Sequence, residues 1–201
     1  MYNQHRFIVD NLYNLLFYAK MTQVACCRVG YLYCVVKEME DDNYYMGLAL
    51  EEARKAYDIG EIPIGAVLIL DGKVVASGHN MREIWHDATA HAEMIVIREA
   101  CQILNRWRLT GATMYVTIEP CPMCAGALVM SRVDRLVYGS ADYKAGAVES
   151  IFNVVQNDAL NHSIVVSSGI RSDECSEIMR DFFRQRRQQK KMDRQKVNLV
   201  K

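Results

Sequence analysis

Apolar side chains begin to recur at helical spacing after Glu40, and the recurring positions are Leu48, Leu50, Ala53, Ala56 and Tyr57. Asp41, Asp42 and Asn43 precede this pattern and are residue types that cap helix N-termini. Gly60 follows the pattern and is typical of a helix C-terminus. The sequence therefore predicts a helix that begins near the three capping residues and ends at Gly60.

Runs of apolar and β-branched residues follow this helix and predict strands. Residues 62–70 form a near-continuous apolar run, which is typical of a strand buried on both faces. The Asp71-Gly72 pair that follows is a strong hairpin signal. The returning strand is predicted at residues 74–78, and further strands are predicted at residues 113–118, 135–138 and 164–166.

Three more helices are predicted, from Thr89 to about Leu104, from Cys121 onward, and from about Ser172 past Arg187. The order of the elements is then β-β-α-β-α-β, with further strand and helical segments. This alternation predicts one mainly α/β layered domain, in which right-handed helical crossovers join the parallel strands.

The chain has 201 residues, of which 51% are hydrophobic, so it can bury one substantial core and is too short for two large domains. Its seven cysteines are an odd number, and two of them form a Cys-x-x-Cys. This usage favours a reducing, cytoplasmic setting over a secreted disulfide framework. No apolar run is long enough to span a membrane, so we expect no membrane association.

Residues 1–38 are rich in Tyr, Leu, Val and Cys but show no sustained period. We expect an N-terminal extension of unknown role, either unstructured or upstream of the true start of translation, because Met39 is a natural start for the domain that follows. The predicted organisation is this extension, a single domain over residues 39–187, and a basic C-terminal tail over residues 188–201.

Two short motifs carry side chains that can bind a metal ion, namely His91-Ala92-Glu93 and Pro120-Cys121-Pro122-Met123-Cys124. The two cysteines are three positions apart at a predicted helix start, so their sulfurs share one face and the helix N-terminus favours thiolates. Structural zinc sites usually close with four protein ligands, whereas three ligands leave a position for water, whose pKa zinc lowers to near neutrality. The motifs therefore predict a catalytic zinc site formed by His91, Cys121 and Cys124.

Glu93 need not be a ligand of that metal. It lies two positions after His91 and therefore off the helical face of the histidine. Beside the bound water it would act as general acid and base, accepting a proton from the water and delivering it to a ring nitrogen of the substrate. It would later protonate a departing amine, so the expected reaction releases ammonia and leaves a carbonyl.

Other residues of the same types have simpler interpretations. A lone Cys-x-x-Cys is also typical of redox sites and of half a structural zinc site, but no second cysteine pair follows at zinc-ribbon spacing. His79, His86 and His162 lack a partner pattern and are expected to be surface or hydrogen-bonded histidines. Asn80 follows the second strand and is either a turn residue or a polar contact to the substrate.

At these residues the chain resembles the cytidine and deoxycytidylate deaminase superfamily, whose zinc signature is His-x-Glu followed by Pro-Cys-x-x-Cys. Residues 62–67, 87–93 and 119–127 are similar to the bacterial tRNA-specific adenosine deaminases, and so is Asp181-Phe182-Phe183-Arg184. The likeness runs from about Met39 to Arg187. It departs at Ala88, where the family usually has proline, which alters a loop and no ligand.

The resemblance implies a three-layer cytidine-deaminase-like fold, in which helices flank a central mixed five-stranded sheet. It implies a zinc-dependent deaminase that converts the wobble adenosine of an arginine tRNA anticodon to inosine, as a homodimer with its cleft near the subunit interface. It implies one Zn²⁺ per subunit and the following site residues: the ligands His91, Cys121 and Cys124, the proton shuttle Glu93 and the substrate contact Asn80. Asp142 and Lys144 align with a loop that lines the family's RNA channel.

Charge gives separate support for an RNA substrate. The chain has 24 basic and 24 acidic residues, yet residues 180–201 hold nine basic residues and only two acidic ones, a local net charge of +7. Arg180, Arg184 and Arg187 share one helical face beside Phe182 and Phe183, a combination suited to phosphate contact and base stacking. The simpler alternative is a solvated helix end, and we expect buried phenylalanines with the arginines facing outward.

Two other functions are compatible with the motifs. A deaminase of a free base or nucleoside, such as guanine or cytosine, needs the same zinc and glutamate but no basic tail. A zinc-stabilised RNA-binding subunit without catalysis would not need Glu93, and the intact Glu93 argues against it.

Overall fold

The computed structural model describes the backbone of residues 26–199 and the side chains of residues 41–195. The elements are α1 (Cys26–Asp58), β1 (Gly65–Leu70), β2 (Lys73–His79), α2 (Arg82–Trp85), α3 (Ala92–Ile103), β3 (Thr113–Ile118), α4 (Pro122–Met130), β4 (Arg135–Ser140), β5 (Val165–Ser168) and α5 (Ser172–Leu199). Within the described residues, no helix is long and apolar enough to cross a membrane.

The chain divides into two units, Met1–Asp42 and Asn43–Lys201. Of the first unit, residues 26–42 are described and belong to α1. Of the predicted N-terminal extension, residues 1–38, residues 1–25 lie outside the described part of the chain. Residues 26–38 are helical. In the predicted basic tail, residues 188–199 continue the last helix, α5.

The second unit is built on one five-stranded sheet in the order β2-β1-β3-β4-β5. The pairs β1–β2 and β1–β3 are antiparallel, and the pairs β3–β4 and β4–β5 are parallel. This mixed sheet with helices on both faces confirms the predicted α/β fold. The two central residues of the β1–β2 turn, Asp71 and Gly72, have φ values of 51° and 71°, and positive values at both positions are typical of a type I′ hairpin.

Successive residues of the strands point to opposite faces of the sheet and fill two separate cores. Ala66 and Leu68 of β1 pack with Val96 and Ala100 of α3 and with Leu128 of α4. On the other face, Val67 and Ile69 of β1 pack with residues of α1 and α5, namely Met46, Leu50 and Cys175. The predicted double burial of the first strand is thereby confirmed, because residues 65–69 are all buried.

The first helix begins earlier than its sequence predicts. Asp41, Asp42 and Asn43 lie inside α1, which starts at Cys26, so the predicted helix start is wrong. Asp and Asn in a helix interior cost only about 0.7 kcal/mol each relative to alanine, so residues that can cap a helix do not by themselves interrupt one. The end is as predicted, because Gly60 takes a φ of 80°.

The C-terminus of α1 is closed by two backbone hydrogen bonds. Gly60 N–H donates to the carbonyl of Tyr57 at 3.0 Å, and Glu61 N–H donates to the carbonyl of Ala56 at 2.9 Å. This is the Schellman arrangement, which requires the left-handed backbone that glycine adopts without strain. The turn therefore sets the position of Glu61 at the entrance to β1.

Two predictions need correction, one about a helix start and one about a connection between strands. Helix α3 begins at Ala92 and not at Thr89, because the Thr89 hydroxyl and N–H both donate to the Asp87 carboxylate at 2.7 Å in a separate turn. The connection from β4 to β5, residues 141–164, contains no helix, so a helical crossover joins only β3 to β4. Polar turns within residues 141–164 take the place of the expected crossover helix.

Candidate metal centre and substrate site

Two helix N-termini present the predicted ligands. His91 is the N-cap residue of α3 and Cys121 is the N-cap residue of α4, and both have extended backbone dihedrals. Pro122 follows at the first position of α4, where its missing N–H costs no hydrogen bond. Cys124 lies one turn into the same helix and is fully buried. Both motifs therefore stand at helix starts, as the sequence predicts.

The three ligand atoms meet at distances that suit a metal ion. His91 Nδ1 lies 3.6 Å from Cys121 Sγ and 3.6 Å from Cys124 Sγ, and all three atoms lie within 4.8 Å of one another. Tetrahedral zinc, with bonds of about 2.1 Å to nitrogen and about 2.3 Å to sulfur, holds such atoms about 3.6 Å apart. Among the described side chains, His91, Cys121 and Cys124 form the one group of this kind, and they fit zinc.

Hydrogen bonds within this group polarise the two thiols. A hydrogen bond from the Cys124 thiol, assisted by His91, lowers the pKa of Cys121 to about 4. The same hydrogen bond and burial raise the pKa of Cys124. The hydrogen bond with Cys121 also raises the pKa of His91. One thiolate therefore forms readily at this position, which favours a bound cation.

Glu93 lies in the first turn of α3 and is only 3% exposed. Burial raises the pKa of Glu93 above its ordinary value, and the neighbouring Cys124 thiol offsets part of this effect. The carboxyl does not belong to the group of three ligand atoms that the described residues form. The structure thus places Glu93 beside the ligands and not among them.

Asn80 lies directly after β2 and is 3% exposed. Its Nδ2 donates to Glu61 Oε2 at 2.8 Å, while Glu61 Oε1 accepts from the N–H of Ile84 at 2.7 Å. The next residue, Met81, donates its N–H to the carbonyl of Ala90 at 3.0 Å, which brings this segment alongside the residue before His91. Asn80 is therefore a buried amide held in one orientation and not a solvated turn residue.

Glu61 was not predicted from the sequence as a site residue, yet it is fully buried and fixes the Asn80 amide. Glu119 was not predicted either; it is 3% exposed and accepts hydrogen bonds from residues of the loop 142–150. Burial opposes ionisation of Glu119, but hydrogen bonds from Glu149, Ser150 and Asp142 outweigh it and lower its pKa to about 2. The only sequence signal for either residue is a carboxylate that directly borders an apolar strand.

The three other histidines of the described residues do not belong to the group formed by His91, Cys121 and Cys124. His79 Nδ1 lies 2.8 Å from Glu52 Oε2, and His162 Nε2 lies 2.7 Å from the carbonyl of Val133. His86 is exposed. The expectation that these three are surface or hydrogen-bonded histidines is confirmed.

The described part of α5 presents basic side chains to solvent. Arg180, Arg184 and Arg187 are exposed, as expected, and Arg184 forms an ion pair with Asp181 at 3.1 Å. Phe182 is buried at 5% exposure, whereas Phe183 is 40% exposed. The expectation that both phenylalanines are buried is therefore wrong for Phe183, because residues three and four apart share a helix face and adjacent residues do not.

The sequence and the fold were compared with those of known proteins. The profile of the MafB19-like deaminase family matches residues 40–187. The tRNA-specific adenosine deaminase of Bacillus subtilis is 48% identical over 160 residues, which cover 80% of this chain and 99% of that protein. The enzyme of the same name from Haemophilus influenzae is 44% identical over 156 residues, which cover 77% of this chain and 90% of that protein.

A solved structure from a study of A-to-I editing by tRNA:A34 deaminases at the wobble position of transfer RNA has the same fold. It superimposes with a TM-score of 0.65 and 49% sequence identity, over 67% of this chain and 98% of that one. A guanine deaminase from Nitrosomonas europaea superimposes with a TM-score of 0.62 at 23% identity, a likeness of fold alone.

Proposed function

The chain belongs to the MafB19-like deaminase family and to the bacterial tRNA-specific adenosine deaminases, and from this membership we propose that it converts adenosine to inosine at the wobble position of a tRNA anticodon. The substrate proposed from the family resemblance is an arginine tRNA. The observation that carries the proposal is the convergence of His91, Cys121 and Cys124 with the buried Glu93 beside them.

We propose that His91, Cys121 and Cys124 hold one Zn²⁺ per subunit. The support is the donor set, one imidazole nitrogen and two sulfurs, together with the 3.6 Å nitrogen-to-sulfur separations that suit a tetrahedral ion. Zinc in such a site supplies Lewis acidity and lowers the pKa of water to near neutrality, which provides a nucleophile for hydrolysis.

In the proposed reaction Glu93 carries the protons. Its carboxylate takes a proton from the attacking water and delivers it to N1 of the adenine ring as the bond from oxygen to C6 forms. It then passes the second proton of that water to the amino group, the bond from C6 to that nitrogen breaks, and ammonia leaves. The products are inosine and ammonia, so no oxidant or other co-reactant is needed. A buried carboxyl suits this role because competing bulk water is excluded.

Asn80 is proposed to contact the target nucleoside. Glu61 holds one side of its amide at 2.8 Å, so the side chain is oriented before the substrate arrives. A base within an RNA loop must leave its stack to reach a buried carboxyl such as Glu93, as in other base deaminases. Basic residues of α5 are proposed to bind the tRNA backbone.

We further propose a homodimer that acts in the cytoplasm, from the family resemblance and from the thiol state. Among the described residues, Cys101, Cys121, Cys124 and Cys175 are all free cysteines, consistent with a reducing compartment. Light scattering of the purified protein measures the subunit number directly.

The deciding experiment incubates the purified full chain with total tRNA and, separately, with free adenosine, guanine and cytosine. Mass spectrometry then measures inosine in tRNA digests and deaminated products of the free compounds. Inosine in tRNA alone, at the first anticodon position, is the expected result. Turnover of a free base or nucleoside without tRNA inosine would overturn the proposal in favour of a small-molecule deaminase. Metal analysis of the same sample tests zinc.

A further inference from the structure

The Glu119 carboxylate attaches the loop 142–150 to residues 119–121, which connect β3 to α4, carry Cys121 and are called the metal-binding turn below. Its Oε1 accepts hydrogen bonds from the N–H groups of Val148, Glu149 and Ser150 at 3.0, 2.8 and 2.9 Å. Its Oε2 accepts from the N–H of Asp142 at 3.0 Å and from the Ser150 hydroxyl. One buried side chain thus holds both ends of residues 142–150.

Further contacts bring the same loop against the residues that precede Cys121. Ala147 N–H donates to the carbonyl of Pro120 at 2.8 Å. Gly146 lies so close to the Glu119 carboxylate that a Cβ at this position would overlap it. The Tyr138 hydroxyl of β4 donates to the Glu149 carboxylate, which adds a tie to the sheet. The loop therefore has little freedom to move away from the turn that carries the cysteines.

Glu119 lies between the candidate ligand Cys121 in sequence and the loop 142–150 in space, so its contacts link the two. It lies two residues before Cys121, and its own N–H donates to the carbonyl of Ser140 at 2.8 Å, at the start of the loop. The loop carries Tyr143, which is 84% exposed, and the exposed basic side chain of Lys144, a combination suited to base stacking and phosphate contact. The metal-binding turn and the loop are thus attached to each other through one carboxylate.

We propose that Glu119 is a positioning residue that holds the loop 142–150 against the metal-binding turn and so forms part of the RNA-binding surface. The proposal rests on the proposed function for its substrate, an anticodon stem-loop. Glu119 does not belong to the group formed by His91, Cys121 and Cys124, and its carboxylate hydrogen bonds run to the loop, so its role is assigned to the loop. Its loss should therefore weaken RNA binding more than it slows the chemical step.

The test variant is Glu119→Gln, which keeps the shape of the side chain but turns an amide group toward N–H donors. We expect faster hydrogen exchange of the amides of residues 142–150, by about 10-fold or more, where tenfold corresponds to 1.4 kcal/mol. We expect the KM for a minimal anticodon stem-loop to rise by a similar factor, with kcat changed less than about threefold and the metal content unchanged.

Glu52→Gln is the matched control, because Glu52 is also a buried carboxylate with several hydrogen bonds, to Ser77, His79 and Lys55. It is expected to leave the KM unchanged and to speed the exchange of residues 142–150 no more than that of the protein as a whole. If Glu119→Gln fails to fold, Tyr138→Phe supplies a milder test, since it removes only the hydroxyl that binds Glu149. This variant should raise exchange at Glu149 and Ser150.

The outcomes separate this inference from the proposed function. If the wild-type protein makes no inosine in the stem-loop, the proposed function fails, while the exchange rates still test the attachment of the loop. Unchanged exchange in Glu119→Gln would overturn the attachment. A fall in kcat and in metal content at unchanged KM would also overturn the inference, because Glu119 would then support only the metal-binding turn.

Discussion

Glu93 and His91 show how position in the chain separates the proposed proton carrier from a proposed metal ligand. His91 and Glu93 are two residues apart on α3, yet only the histidine nitrogen joins the two sulfurs. The carboxyl is buried near Cys124 instead. This arrangement predicts that the carboxyl can be changed without loss of the metal site.

Glu93→Gln is expected to reduce kcat by about 10²–10⁴-fold, the usual contribution of general acid–base catalysis. Glutamine keeps the volume of the side chain but cannot take up a proton from water. The zinc content should equal that of the wild type. Single-turnover inosine formation and metal analysis on the same preparation provide the measurement. Retention of about a tenth or more of the wild-type rate would assign the proton transfer to another group.

Glu52 predicts an acid dependence of stability. Its side chain is 9% exposed; burial opposes its ionisation, but Lys55, His79 and Ser77 outweigh that effect and lower its pKa. A lowered folded-state pKa adds stability above the unfolded value of about 4.3, and this contribution is lost as the pH falls below it. Glu52→Gln should therefore cost about 1–3 kcal/mol of unfolding free energy at neutral pH.

The same difference between wild type and Glu52→Gln should shrink as the pH falls from 5 toward the lowered pKa. Urea unfolding at pH 7, 5 and 4 measures it. If this difference stays constant over the pH range, the negative charge of Glu52 adds nothing to the unfolding free energy beyond what the shape of the side chain contributes.

The grouping of His91, Cys121 and Cys124 could be predicted from the sequence, whereas the partners of the buried carboxylates could not. A histidine and a cysteine pair that each stand at a predicted helix start are typical of a metal site and of few other structures. Glu61 and Glu119 look like ordinary polar residues until the fold supplies partners far along the chain, 19 residues away for Asn80 and 29 for Val148. Their function lies in those partners, which a local pattern does not contain.

At the level of elements, strands were predicted better than helix starts. The third strand has its predicted bounds, Thr113–Ile118, because apolar runs of strand length have clear ends. Thr89 and Asp41 are good capping types, yet neither caps a helix here. In the first case a local turn takes the hydrogen bonds of Thr89, and in the second the helix continues through the position of Asp41.

The packing of α1 on β1 depends on Gly65. A Cβ at this position would overlap the carbonyl oxygen of Ala49 and the nitrogen of Ala53, which are backbone atoms that cannot rotate away. Gly65→Ala should therefore lower the unfolding free energy by about 1–3 kcal/mol, the usual cost of overpacking. Denaturant unfolding measures the change.

Gly126→Ala is the matched control for Gly65→Ala. Gly126 lies inside α4, and a Cβ there meets no atom within 4 Å. The substitution should add about 0.5–1 kcal/mol of stability, because alanine loses less backbone entropy than glycine in a helix. Equal effects of the two substitutions would show that α1 can shift away from the sheet at little cost.

For the whole molecule, the order of elements predicted the α/β class but not every connection. The β3–β4 pair has the expected crossover helix, α4, whereas residues 141–164 connect β4 to β5 without one. The first part of this connection, residues 142–150, is held by Glu119 and Tyr138, which lie outside it in the sequence. The prediction that a helical crossover joins every parallel pair is therefore wrong for β4 and β5.

The charge of the whole chain is zero, but the side chains from Phe183 to Gln195 are all exposed and rich in arginine and lysine. Within this surface Arg184 is paired with Asp181, at 62% and 41% side-chain exposure. An ion pair this exposed contributes at most about 1 kcal/mol, so the arginine remains available to a phosphate.

Arg184→Ala should weaken binding of an anticodon stem-loop, because one contact to a phosphate is lost. It should leave the zinc content unchanged, because Arg184 is far along the chain from the proposed metal ligands. The slope of log affinity against log salt should fall by about one. Lys73→Ala is the control, because Lys73 is an exposed basic residue at the start of β2. The β1–β2 hairpin there lies at the end of the sheet opposite to the one that leads to Cys121. Lys73→Ala should leave the slope unchanged.

Asp181→Asn removes the competing carboxylate and should strengthen binding at low salt. Identical salt titrations for wild type and Arg184→Ala would mean that the tRNA backbone is bound by other residues than this face of α5.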